Sequence, residues 1–237
     1  MIKSFLLLIP LIAMGIFPKD AGRKAVVTTI AGLPIEVSTE ARDLIVHYEV
    51  GGKAYYEKFL QKATYPGGAS GVTVGFGYDL GYNTPAQIRA DWKGRVSNDT
   101  IAAMVSVSGL KGSRAANELR RVRGAIVIPW SVAQEVFELR TMPRFAAMTK
   151  TAFPDIALAH PHGQGVVLSL SFNRGTSMRG DSRREMRWVR HNLGHDQSLI
   201  PADIRAMKRL WIGKGLDGLL IRREAEAALF EKGLQQN

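Results

Sequence analysis

The stretch SGVTVGFGYDLG, residues 70–81, alternates apolar and polar positions. In an extended chain Val72, Val74, Phe76 and Tyr78 point one way and suit a core, while Thr73, Gly75, Gly77 and Asp79 point the other way. That second face carries a hydroxyl, two bare backbone positions and a carboxylate, which is the floor of a groove onto which a substrate can lie. Glycine weakens a strand interior, so the same residues also read as a hairpin with a bulge. A second carboxylate, Glu49, stands 24 residues before Thr73, just ahead of Gly51-Gly52. If Glu49 ends a helix, the negative end of the macrodipole disfavours its ionised form, and partial burial adds to that. A carboxyl that keeps its proton near neutral pH is what a general acid requires. A glutamate at a helix end is equally at home as a solvated surface group.

The elements that would position these groups follow from periodicity. STEARDLIVHYEVGG predicts a helix with Ser38 or Thr39 at its start, Ala41, Leu44, Ile45 and Tyr48 on one face, and the glycine pair at its end. Residues 64–83 hold the turn signals and the strand character of the first half. Helices are predicted at 85–93, 97–107, 112–122, 130–140, 143–150, 162–172, 180–192, 201–212 and 222–232. One helix, a small glycine-rich β region and then a helical mass give an α+β, mostly α-helical class. Residues 1–34 form an N-terminal hydrophobic segment and linker, and 35–237 one continuous domain.

The chain opens with a lysine and an apolar run from Phe5 to Phe17. The run is shorter than the roughly 20 residues of a spanning helix but suits a secretory signal or membrane-associated arm. Export to the periplasm or cell envelope, or membrane association before release, is therefore expected. There is no cysteine, which removes disulfides and thiolate chemistry. The net charge of +11 points to a polyanionic partner: nucleic acid, anionic membrane or an acidic envelope polymer. His160-Pro161-His162 brings two imidazoles together but reads as a loop without acid ligands, and no hydrolase, nucleotide or zinc-peptidase motif occurs. Neither a metal nor a cofactor is expected.

Four segments in order, HYEVGG, YPGGASGVTVGFGYDLG, FNRGTSMRGDSRREMR and RREAEAALF, resemble the pesticin-like muramidases of the phage-type lysozyme superfamily. The likeness runs from about residue 40 to 232. It implies a lysozyme-like fold and cleavage of the β-1,4 bond between N-acetylmuramic acid and N-acetylglucosamine in bacterial peptidoglycan. It makes Glu49 the catalytic acid, Thr73 the residue that helps hold the attacking water, and Asp79 the second carboxylate. Gly75, Gly77 and Tyr78 are assigned to substrate binding, together with Asn173 and Arg174 at the end of the 162–172 helix. In more distant phage lysozymes the aspartate precedes the threonine, but TYPGGASGV offers no acid there. The reading is a monomeric, inverting phage endolysin.

Two chemistries compete with it. A non-catalytic wall-binding or structural module could keep the fold, and a basic nucleic-acid-binding protein would use the arginines of 179–190. The aromatics do not interleave with the basic runs, so no specific nucleic acid is expected. The arginines could instead clamp substrate carboxylates or form a solvated face, and Arg222 and Arg223 are read as ion-pairing the last helix to the core. The catalytic reading carries one geometric demand. Six extended residues would hold Thr73 and Asp79 about 20 Å apart, whereas the carboxylates of glycosidases lie at most about 9.5 Å apart. If Asp79 is to act, the chain must turn sharply at Gly75–Gly77.

Overall fold

The computed structural model describes residues 27–236. The expected apolar segment of residues 1–17 and most of the linker lie outside the described residues. About 65% of the chain is helical and the named strands form one two-stranded antiparallel sheet, the mostly helical α+β class that the pattern predicts. Every predicted helix is present. Among the described residues no helix is long and apolar enough to cross a membrane. The chain separates into two compact units, Val46–Arg144 and a composite of the residues up to Ile45 with Phe145–Asn237. This subdivides what reads in sequence as one domain.

Helix α1 (Thr39–Val50) starts in the composite unit and ends in the middle one. The Ser38 hydroxyl accepts the Ala41 N–H at 3.1 Å and caps its start. Gly51 and Gly52, at φ 71° and 81°, end it in the left-handed conformation that glycine adopts without penalty.

In the middle unit a short helix α2 (Lys53–Tyr55) runs into a π-helical turn, Tyr56–Leu60. Strands β1 (Thr73–Val74) and β2 (Tyr78–Asp79) follow, then α3 (Pro85–Trp92), α4 (Asn98–Val105), α5 (Ser113–Val122) and α6 (Trp130–Val136). Thr84 and Gln87 form a reciprocal capping box at α3, and Ser97 caps α4 through the Thr100 N–H. A second π-helical turn, Phe137–Thr141, leads into α7 (Met142–Ala152). The core centres on Phe76 from the hairpin tip. Its ring lies 4.6 Å from Trp130, 5.2 Å from Tyr56 and 5.8 Å from Phe137, centre to centre. Tyr56 and Phe137 each begin one of the π-helical turns, so both irregular segments aim an aromatic ring at the hairpin tip.

The composite unit is built around α8 (Pro161–Arg174), whose residues are buried on all sides. Helices α9 (Arg184–Leu193), α10 (Ile200–Ala206) and α11 (Asp217–Leu234) complete it, with α11 packed on α8 and α10. Gly163 admits the Phe230 ring and Gly165 admits Ala41, so both glycines allow close helix packing. His160-Pro161-His162, read in sequence as a loop, opens α8. His160 caps the helix by accepting the His162 N–H at 3.2 Å, and Pro161 occupies the first turn, where its missing N–H is no loss.

Candidate active site

The sharp turn is present. β1 and β2 form a hairpin closed by Gly75-Phe76-Gly77, and Thr73 pairs directly with Asp79 while Val74 pairs with Tyr78. Directly opposed residues project to the same face of a sheet. A hydroxyl and a carboxylate six positions apart in sequence are thereby brought together. Gly75 and Gly77 take φ of 56° and 79°, values that a β-carbon disfavours. On its other edge Thr73 exchanges backbone hydrogen bonds with Thr64 (2.8 and 2.9 Å), so its backbone is held from both sides.

The groove-floor reading of the two turn glycines needs correction. Gly77 is exposed with open space around it, but Gly75 is buried, and a β-carbon there would meet the Trp92 ring at 3.3 Å and Ala133 at 3.5 Å. Gly75 therefore faces the core and cannot be lain upon. Tyr78 also leaves the binding set. It is buried on the face opposite Asp79, packs edge-on to Trp92 at 5.4 Å, and donates its hydroxyl to Asp91 Oδ2 at 2.8 Å. Burial first, then the Asp91 carboxylate, hold that phenol far above its ordinary range.

Asp79 is almost wholly buried, at 9% exposure. Its Oδ1 accepts the Gly71 N–H at 3.0 Å and the Gly81 N–H at 2.8 Å, and Oδ2 shares the Gly71 N–H at 3.1 Å. Burial pushes its pKa up; the two backbone N–H groups and the charge of Lys111 pull against that without cancelling it. A carboxylate with a raised pKa is the stronger base for as long as it remains ionised. Thr73 Oγ1 donates weakly to Gly71 O at 3.4 Å. Glu49 occupies the last turn of α1, half-buried.

Asn173 and Arg174 end α8 in the composite unit. Asn173 is half-buried, and its Oδ1 has no hydrogen-bond partner among the described residues. Arg174 is a buried brace: it donates to Ser182 O and stacks over the Trp211 ring at 5.0 Å. Burial, with Arg183 and Arg223 nearby, lowers its pKa to about 10. The arginines of 179–190 divide between roles. Arg187 donates to Met178 O and Gly180 O, Arg184 pairs with Glu185, and Arg184 also lies over the exposed Trp188 ring at 5.0 Å. Among the described residues no group of three or more His, Cys, Asp or Glu is placed to hold a metal ion.

No protein-family model matches this chain, and no curated protein matches it either.

Several residues that the sequence does not single out complete the site. Gly71 and Gly81 cross so closely that a β-carbon on Gly71 would lie 2.5 Å from Gly81 Cα. Asn83 is buried, donates to Asp79 O at 2.7 Å and accepts from Arg144 at 3.3 Å. Tyr82 is exposed, with the Lys111 ammonium 3.6 Å from its ring centre. The regular placing of glycines at 71, 75, 77 and 81 was the available signal. Which of them serve φ and which serve space depends on residues as distant as Leu110, and that is invisible to local pattern.

Proposed function

We propose that this chain is a peptidoglycan hydrolase, a muramidase that cleaves the β-1,4 bond between N-acetylmuramic acid and N-acetylglucosamine. The observation that carries the reading is the direct pairing of Thr73 with Asp79 across a turn closed at Gly75–Gly77. It supplies the sharp turn that the catalytic reading requires if Asp79 is to act beside Thr73. In the proposed reaction Glu49 gives its proton to the glycosidic oxygen as the C1–O bond breaks. Water adds to C1 from the opposite face and passes its proton to Asp79, with Thr73 orienting that water. The outcome is inversion, for which the two carboxyls must stand about 6.5–9.5 Å apart to admit the water. The basic charge suits an anionic wall, and the apolar first residues suit an exported phage lysis protein.

A second reading is favoured by one observation. The Asp79 carboxylate holds two backbone N–H groups and could serve a non-catalytic wall-binding module by doing only that. Release of reducing sugar from purified peptidoglycan, wild type against Glu49→Gln, tests the choice. The muramidase reading expects turnover by wild type and a loss of at least about 100-fold in the variant. It fails if wild type releases no fragments or the variant is fully active, and wall sedimentation without release would establish the binding module.

A further inference from the structure

Lys111 is positioned by the backbone crossing beside Asp79. A β-carbon on Gly81 would lie 2.5 Å from Leu110 O and 3.0 Å from Lys111 Cγ, so the bare position at 81 is where the Lys111 stem passes. The loop is pinned on both sides of this point: Gly109 N–H donates to Leu80 O at 3.2 Å and Gly112 N–H to Ser70 O at 2.8 Å. The ammonium thereby sits 3.6 Å from the centre of the Tyr82 ring. That ring is itself fixed, since its hydroxyl donates to Ala69 O at 3.0 Å, yet the side chain is 45% exposed. Lys111 is half-buried and forms no ion pair among the described residues.

The attraction of a cation to an aromatic face accounts for the pair without accounting for its exposure. An immobilised, open aromatic ring is a flat apolar surface against which a pyranose ring packs. The ammonium over one face of that ring leaves the other face for the sugar, and with no carboxylate within ion-pair distance among the described residues it supplies the charge that an acidic substituent on that sugar needs. Tyr82 ends the turn that follows Asp79, and Lys111 passes the backbone at Gly81, whose N–H the Asp79 carboxylate accepts. We propose that Tyr82 and Lys111 form a sugar subsite selective for an amino sugar that carries a carboxylate. Within the muramidase reading, on which this rests, that sugar is the muramic residue and the group its lactyl carboxylate.

Two arms test it. In the first, wild type, Lys111→Met and Lys111→Arg act on glycan strands stripped of peptide, with their lactyl carboxylates either free or amidated. Wild type should prefer the free carboxylate by roughly tenfold in kcat/KM. Lys111→Met should lose that preference, chiefly through KM, and Lys111→Arg should restore it. In the second, isothermal titration compares a muramic-acid-containing disaccharide with the neutral chitin disaccharide on the same proteins, folding being checked by circular dichroism. Tighter binding of the acidic sugar by wild type, lost in Lys111→Met, supports the subsite even where the protein turns nothing over. That pattern with no turnover would overturn the hydrolase reading alone. Equal preference in wild type and Lys111→Met, in either arm, overturns the subsite.

Discussion

Gly71 and Gly81 cross at a distance that admits no side chain on either: the β-carbon position of Gly71 is 2.5 Å from Gly81 Cα. Neither has a positive φ, so both are glycines for space. Gly77 is the reverse case, with φ of 79° and nothing within 4 Å of its β-carbon position. Substitution should separate the two kinds. Gly71→Ala forces backbone apart and is expected to destabilise by about 3 kcal/mol, the upper end for overpacking. Gly77→Ala should cost about 1–2 kcal/mol, the left-handed penalty alone, and Gly77→Asn less. Urea unfolding gives the ranking, and equal losses at 71 and 77 would show that the crossing is not tight.

Asp79 fastens that crossing, so its structural and chemical parts must be measured apart. Asp79→Asn keeps an oxygen for the Gly71 and Gly81 N–H groups and removes only the charge, whereas Asp79→Ala leaves both donors buried without it. At pH 7 the alanine variant should lose about 2–3 kcal/mol. Burial raises the Asp79 pKa, so its charge opposes folding as pH rises from the ordinary aspartate value through the raised one. Asp79→Asn should then be within about 1 kcal/mol of wild type at pH 7. A folded, inactive asparagine variant marks the carboxylate as chemical, and a folded, active one removes it from the mechanism. Lys111 favours the ionised form, so Lys111→Met should move the acid limb of the pH–rate profile upward; a downward shift would contradict the assignment.

How much of this was legible in sequence depends on range. The helices follow from local periodicity and caps, as Ser38, Thr84 and Ser97 show. The bend at Gly75–Gly77 follows from a reach argument, because an extended chain could not bring Asp79 back to Thr73. What stayed hidden is long-range. Alternation puts Tyr78 on the core face, but that Asp91 and Trp92 close over it there depends on α3, and the resemblance alone assigns it to substrate. A parity scheme leaves Gly75 free, but its neighbours are Trp92 and Ala133. Lys111 is one basic residue in a basic chain until the backbone at Gly81 places it on Tyr82.

His162 gives an acid-sensitive contact within the composite unit. It is buried at 1% exposure, its Nδ1 lies 2.8 Å from the Ser38 hydroxyl, and that hydroxyl also accepts the Ala41 N–H. Burial lowers the His162 pKa below the usual 6.5, with Glu40 only partly opposing it. In the tautomer with bare Nδ1, His162 accepts from Ser38; protonation turns that acceptor into a donor and strands the serine proton. A lowered histidine contributes stability that is present above the unfolded pKa and lost as pH falls through the folded one. The melting temperature should therefore fall as pH drops below about 6.5, and His162→Asn should flatten part of that slope. His160 and His47, lowered by burial in the same way, keep part of the remainder. An unchanged slope in the variant would rule His162 out as a contributor.

Glu226 anchors α11 to α8 from a position with no exposed surface. Its carboxylate accepts from Arg222 Nε at 3.0 Å, from an Arg223 terminal nitrogen at 2.7 Å and from the Ser169 hydroxyl of α8 at 2.6 Å. Arg222 also donates to Ser169 O at 3.2 Å in the same buried network; the ion pairs of Arg222 and Arg223 with Glu226 lie within α11 rather than reaching from it to the core, and Ser169 makes the tie to α8. Replacing such a network wholesale by apolar residues can be neutral, but removing one member leaves like charges facing each other in a dry interior. Glu226→Ala is expected to destabilise by about 3–5 kcal/mol, against about 1–2 kcal/mol for Ser169→Ala, which removes the hydroxyl's donation to Glu226 and its acceptance from Arg222 at 3.0 Å. Denaturant unfolding of the two single variants and the double variant measures the coupling. Because Ser169 acts through Glu226, the double variant should lose little more than Glu226→Ala alone; full additivity would show that the serine and the carboxylate hold the helices independently.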